Sequence, residues 1–217
     1  MNPALIELII LAGIAVFLFL RLRSVLGTRE GFEKPRMQPK NDAPKRDFKV
    51  IDGGEDKDIT DNVEKNSKSA KALKTIKEKD DTFTVNEFLS GARSAYEWIL
   101  MSFEKNEIDD IRELLSEEVA EAFDSVVEQR ISQGLTIEAE FIGVREMKLV
   151  DASYNSKTKT AEIAVSFIGE MTSVVKNSSG EIVEGDSKQI KRQKDTWTFS
   201  KDILSDNPNW ILVATGE

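Results

Sequence analysis

Neither histidine nor cysteine occurs among the 217 residues, so any side-chain catalysis must rest on Asp, Glu, Tyr or Lys. That excludes Ser-His-Asp relays, thiolate nucleophiles, imidazole switches and zinc held by Cys or His. Carboxylates are plentiful, yet Asp52, Glu55, Asp56, Asp58 and Asp61 lack the order of a calcium loop and its closing Glu. Gly53-Gly54 and Gly180 lack phosphate-loop spacing and read as turns. Tyr96 and Tyr154 remain as catalytic donors, but both read as core, because nothing in the sequence places a buried carboxylate beside them. No metal and no cofactor is expected. The one chemistry organised by spacing is cationic: Lys65, Lys68, Lys71, Lys74 and Lys77 recur every three residues, with Ala70, Leu73 and Ile76 as a narrow apolar line between them. Such a basic amphipathic helix can lie on an anionic lipid surface, or it can pack its thin stripe on a neighbouring domain. A net charge of −9 argues against nucleic acid as a partner.

Those cations need something to hold them at a membrane, and the N-terminus supplies it. Ala4 to Leu22 is apolar apart from Glu7 and Arg21, with Leu5, Leu8, Ile9, Ile10, Phe17, Phe19 and Leu20 in the run. At 1.5 Å per residue this stretch reaches about 28 Å, close to the hydrocarbon thickness of a bilayer. A cleaved secretory signal would carry its cations before the apolar run, whereas Arg21, Arg23, Arg29, Lys34 and Arg36 follow it. One transmembrane helix is therefore expected, with the C-terminal bulk in the cytoplasm by the positive-inside bias. Residues 1–27 read as the anchor. Residues 28–66 carry Pro35, Pro39, Pro44 and many charges without apolar periodicity, and read as a disordered polar tether. Residues 67–82 hold the basic helix, and 83–217 the folded domain.

The domain opens on a capping box, Thr84-x-x-Glu87, with Phe83 and Phe88 at the positions of a hydrophobic staple. A helix is predicted from Val85 to about Lys105, burying Val85, Phe88, Leu89, Ala92, Ala95, Tyr96, Ile99 and Phe103 at period 3.6. Trp98 and Met101 project from its other side; packing under the short helices that follow is the reading preferred for Trp98, and exposure would make the two a candidate partner contact. Ile108 to Leu115 reads as a short helix. Ser116 caps a third, striped by Val119, Phe123, Val126 and Val127 and ended by Gly134. The period then falls to two. Leu135 to Tyr154, Ala161 to Met171, Lys188 to Ser200 and Trp210 to Thr215 read as strands, with a bulge near Gly143. Lys188, Lys191, Arg192 and Lys194 read as a charged edge that resists aggregation, with lipid or an acidic partner as the alternative. Helices first and antiparallel strands afterwards give an α+β domain.

Phe88-Leu89-Ser90-Gly91-Ala92-Arg93-Ser94-Ala95-Tyr96, Leu114-Leu115-Ser116, Gly180-Glu181-Ile182-Val183-Glu184-Gly185, Asp195-Thr196-Trp197-Thr198-Phe199-Ser200 and Asn207-Pro208-Asn209-Trp210-Ile211-Leu212-Val213 resemble the C-terminal domain of subunit 44 of the mitochondrial inner-membrane translocase. The apolar N-terminus and polar tether are similar to its membrane-anchored alphaproteobacterial relatives. The resemblance implies a cone of the nuclear transport factor two superfamily, with a curved antiparallel sheet of about four strands, helices packed on it and a large apolar pocket. It also implies a non-enzymatic adaptor at the bacterial inner membrane, with anionic lipid and protein partners such as translocation machinery or a chaperone. By position, Lys65 to Thr82 would be its membrane-contacting segment. The alternative is a pocket protein or enzyme acting on an apolar small molecule, since that superfamily includes enzymes pairing a carboxylate base with a Tyr donor. An all-apolar pocket favours the adaptor; a buried Asp or Glu near a Tyr favours the enzyme.

Overall fold

The computed structural model describes residues 56–205 and 207–216. The expected span and the tether up to residue 55 lie outside them, and among the described residues no helix is long and apolar enough to cross a membrane. The element order is α1 (Lys57–Thr60), α2 (Lys68–Lys79), α3 (Val85–Glu104), a 3-10 helix (Ile108–Leu114), α4 (Glu117–Ser132), then β1 (Thr136–Asn155), β2 (Thr160–Lys176), β3 (Ile182–Asp202) and β4 (Ile211–Gly216). The four strands form one antiparallel sheet in chain order, so each pairs with its sequence neighbour and helices supply one covering layer.

Local chemistry sets the boundaries. Thr84 Oγ1 accepts from the Glu87 N–H at 3.2 Å, and the Phe83 and Phe88 rings meet at 6.3 Å, so α3 starts at Val85. Ser116 Oγ accepts from the Val119 N–H, and Gly134, at φ +67°, supplies the left-handed conformation that turns the chain after α4. Along β2, Ala161, Ile163, Val165, Phe167 and Met171 are all buried, as period two requires. β1 shifts register against β2 between Phe141 and Gly143, and again between Val144 and Glu146 and between Leu149 and Asp151. Each bulge bends and twists the strand locally.

Four expectations change. Residues 56–66 are not featureless tether: α1 lies there, and Ile59 is only 5% exposed within the core. β3 begins at Ile182, six residues before the predicted start. Its residues 182–194 are all exposed, so no buried face imposed the alternation by which a strand is read. Val126, assigned to the α4 stripe, is exposed, while Ala120 is buried instead. Trp98, read as core, is 52% exposed, because the 3-10 helix and α4 pack elsewhere on α3.

Candidate functional site

α3 has two working faces. Outward, its first three turns border a groove of about 470 Å³. Its lining includes the buried rings of Phe83, Phe88 and Phe199, together with Leu114, Trp210 and the exposed Trp98. Trp210 is half-buried; its ring lies 4.7 Å from Phe88 and 5.8 Å from Phe83, edge-on or tilted as aromatic quadrupoles prefer. The titratable residues in the lining are Asp80, Glu87 and Lys201. Lys201 Nζ reaches Asp80 Oδ2 at 3.2 Å, tying the end of α2 to the end of β3. The Thr82 hydroxyl holds the Asp80 carboxyl below the usual range by hydrogen bonding; burial opposes this and Lys201 reinforces it. Asp80 is thus a fixed anion with its proton sites occupied, unsuited to act as a base. Met101, the other candidate partner contact, is partly buried.

Inward, the same helix presents Tyr96, which is fully buried. It stacks on Phe167 at 4.4 Å, lies 4.7 Å from Trp197, and donates its hydroxyl to Asp195 Oδ2 at 2.5 Å. Gln193 Nε2 donates to the other carboxylate oxygen at 3.0 Å. Burial, then the Asp195 anion, pushes the Tyr96 phenol far above its ordinary value, so it stays a donor. Gly169 makes room: a Cβ there would lie 2.6 Å from the Tyr96 oxygen. A buried carboxylate does therefore sit beside a tyrosine, against the reading from sequence. Neither residue lines the groove, however, and each polar atom of the pair is occupied. The arrangement is a satisfied polar contact inside the core. Tyr154 is half-buried in β1, apart from this pair.

Of the lysines proposed for a lipid surface, Lys65, Lys68, Lys71 and Lys74 are exposed. Lys77 is half-buried, and its ammonium lies 2.7 Å from Asp56 and 3.1 Å from Asp58. Asp58 in turn accepts from the Val85 N–H at 2.7 Å and the Asn86 N–H at 3.0 Å, capping α3 from a distant segment. Burial would raise the Asp58 pKa, but these N–H groups and Lys77 outweigh it and hold it below 3.8. The apolar line of α2 is also used within the fold. Leu73 and Ile76 are fully buried in the core, and Ser69 Oγ donates to Asp151 Oδ1 at 2.8 Å, pinning α2 to β1. Of the two readings for this helix, packing on the domain is the one observed.

The Tim44-like domain family matches residues 69–217, a range that begins inside α2 and runs to the last residue. The chain belongs to the Tim44-like domain family. No curated protein matches it. Among solved structures, the intermembrane-space region of the chloroplast protein ARC6 is 8% identical, covering 66% of this chain and 94% of that one, at a TM-score of 0.36; that likeness is too distant to inform function.

In this Tim44-like domain the basic run of β3 extends beyond the strand's pairing with β4, which is confined to Thr196–Ser200. Arg192 pairs with Glu170 at 2.9 Å, and Gly185 takes φ +84° at a point where a Cβ would collide with the Ser173 carbonyl. Cations and a bulge on an unpaired edge match the protective reading. Two functional details escaped the sequence pattern although parity contained them. Asp195 and Lys201 continue the odd-numbered row of Trp197 and Phe199 that faces the helices, so alternation alone assigns both to the inner face.

Proposed function

We propose that this Tim44-like domain is a non-enzymatic, membrane-anchored adaptor of the bacterial inner membrane, built on the cone of the nuclear transport factor two superfamily. The observation that carries the reading is the groove beside α3: aromatic, open, lined in part by an exposed tryptophan, and without an available acid–base pair. Domains of this family are associated with membrane translocation and scaffold roles, which supports the same reading. The uncharged run Leu8 to Leu20, with its following cations, supports a single-pass anchor and a cytoplasmic domain. Partners are proteins, among them translocation machinery or a chaperone, meeting the groove through Trp98 with Met101 beside it.

Contact with anionic lipid through Lys68, Lys71 and Lys74 is part of the proposal, in a restricted form. Because Leu73 and Ile76 pack into the domain, α2 has no apolar face to insert. Attraction is then electrostatic, about 1 kcal/mol per cation near the surface and screened by salt. The test starts from membranes of cells carrying the full chain. The protein should resist alkaline extraction, and deletion of residues 4–22 should release it; a full-length chain that washes off would overturn the anchor. A photo-crosslinking residue at position 98 should give discrete protein adducts, and their absence would remove the adaptor role from this groove.

A further inference from the structure

We propose that the free edge of β3 pairs with the same edge of a second copy of this chain, antiparallel about a two-fold axis. The inference goes beyond the adaptor reading and does not depend on it. Residues 182–194 are all exposed, and β4 takes the outer edge of β3 only at Thr196–Ser200. Among the described residues no strand bonds the outward N–H and C=O groups of 182–194. Ile182, Val183 and Ile190 expose apolar side chains on the same stretch. β1, the other long edge of the sheet, differs. Three register shifts interrupt it, Ser69 of α2 bonds to its Asp151, and Arg93 of α3 bonds to its Val144 carbonyl. Of the two edges, that of β3 is the available template for strand addition.

Charge selects the occupant. The stretch begins acidic, with Glu184 and Asp186, and ends basic, with Lys188, Lys191, Arg192 and Lys194. A parallel copy would set like charges side by side, whereas an antiparallel copy sets each half against its opposite. Pairing with β2 fixes the register. Asp186 stands opposite Ser173 and Lys191 opposite Met171, so both point to one face of the sheet. Between them β3 carries Ser187 to Ile190 where β2 carries only Thr172. A regular strand cannot follow that bulge, but a second copy has the same bulge, and a two-fold axis through it aligns the two. Asp186 of each copy then meets Lys191 of the other, and Ile182 meets Lys194. An axis one pairing to either side would oppose Lys191 to Lys191 or Asp186 to Asp186. The basic edge that repels other strands thus accepts its own acids. The groove uses the far end of β3, at Phe199 and Lys201, so a dimer leaves both grooves open and presents them as a pair.

The chain has no cysteine, so introduced thiols report without background. Full-length chains bearing Ile182→Cys or Lys194→Cys, with tags of different length, are co-expressed, and the permeabilised cells are oxidised with copper phenanthroline. The mixed disulfide dimer should exceed either self-dimer about tenfold. Opposed residues fall within disulfide reach, whereas each introduced thiol and its own copy lie eight pairings apart, about 26 Å. The same two thiols test charge. Asp186→Lys should lower the mixed dimer about tenfold, and adding Lys191→Asp should restore it; both positions are exposed, so melting temperatures should not move. Self-dimers as abundant as the mixed dimer, or a charge swap that fails to restore the yield, would overturn the inference. Photo-crosslinks from position 188 to a different, acidic protein, without the chain dimer, would assign the edge to that partner instead.

Discussion

On the side of α3 that meets the sheet, Tyr96 is enclosed by Phe167, Trp197 and Gly169, and its hydroxyl is matched by Asp195. On the side that faces away, Gly91 leaves open space, Ser94 is exposed and Trp98 stands 52% exposed. Both faces belong to one helix and both contain aromatic residues, yet among the described residues only the first has its polar and apolar demands met. Energetics should follow that division: the inner face carries stability, while the outer face is free to carry recognition.

The largest effect should come from Trp197→Ala. Trp197 is 4% exposed, so lost burial and an unfilled cavity should cost about 3–5 kcal/mol, read by denaturant unfolding of the compact unit Asp52–Glu217. A loss below about 1 kcal/mol would break the division at its strongest point. Tyr96→Phe comes next. It keeps the ring and removes the donor to Asp195, leaving a buried carboxylate oxygen unmatched at about 1–3 kcal/mol. A neutral result would mean that water reaches Asp195.

Asp58 tests whether the capping segment belongs to the structural side. Removing a cap costs about 1 kcal/mol, and the pH dependence identifies its source. The folded pKa of Asp58 lies below its ordinary 3.8, so its contribution is complete above that value and disappears as pH falls through the folded one. Wild type and Asp58→Asn should therefore differ by a constant amount at neutral pH and converge in acid. Parallel curves down to the acid transition would remove Asp58 from the account. The smallest effect belongs to Trp98→Ala, expected within about 0.5 kcal/mol of wild type while weakening capture of the partner protein. A destabilisation as large as that of Trp197→Ala would return Trp98 to the core.

What the residues determined by themselves was local. Thr84 and Glu87 close a hydrogen-bonded turn among near neighbours, so the start of α3 was legible. One buried face imposes period two on β2, so Ala161 to Met171 could be read as a strand with its inner side assigned. Tertiary structure decided whatever depended on remote chain. Leu73 and Ile76 form a stripe that suits a bilayer surface or a protein surface equally well, and only the presence of β1 beside α2 commits it to the protein. Asp58 caps a helix that starts 27 residues later, and Tyr96 meets Asp195 across 99 residues; neither pairing leaves a short-range mark. Trp98 became exposed for the complementary reason: burial requires a covering element, and the fold placed its remaining helices against other parts of α3.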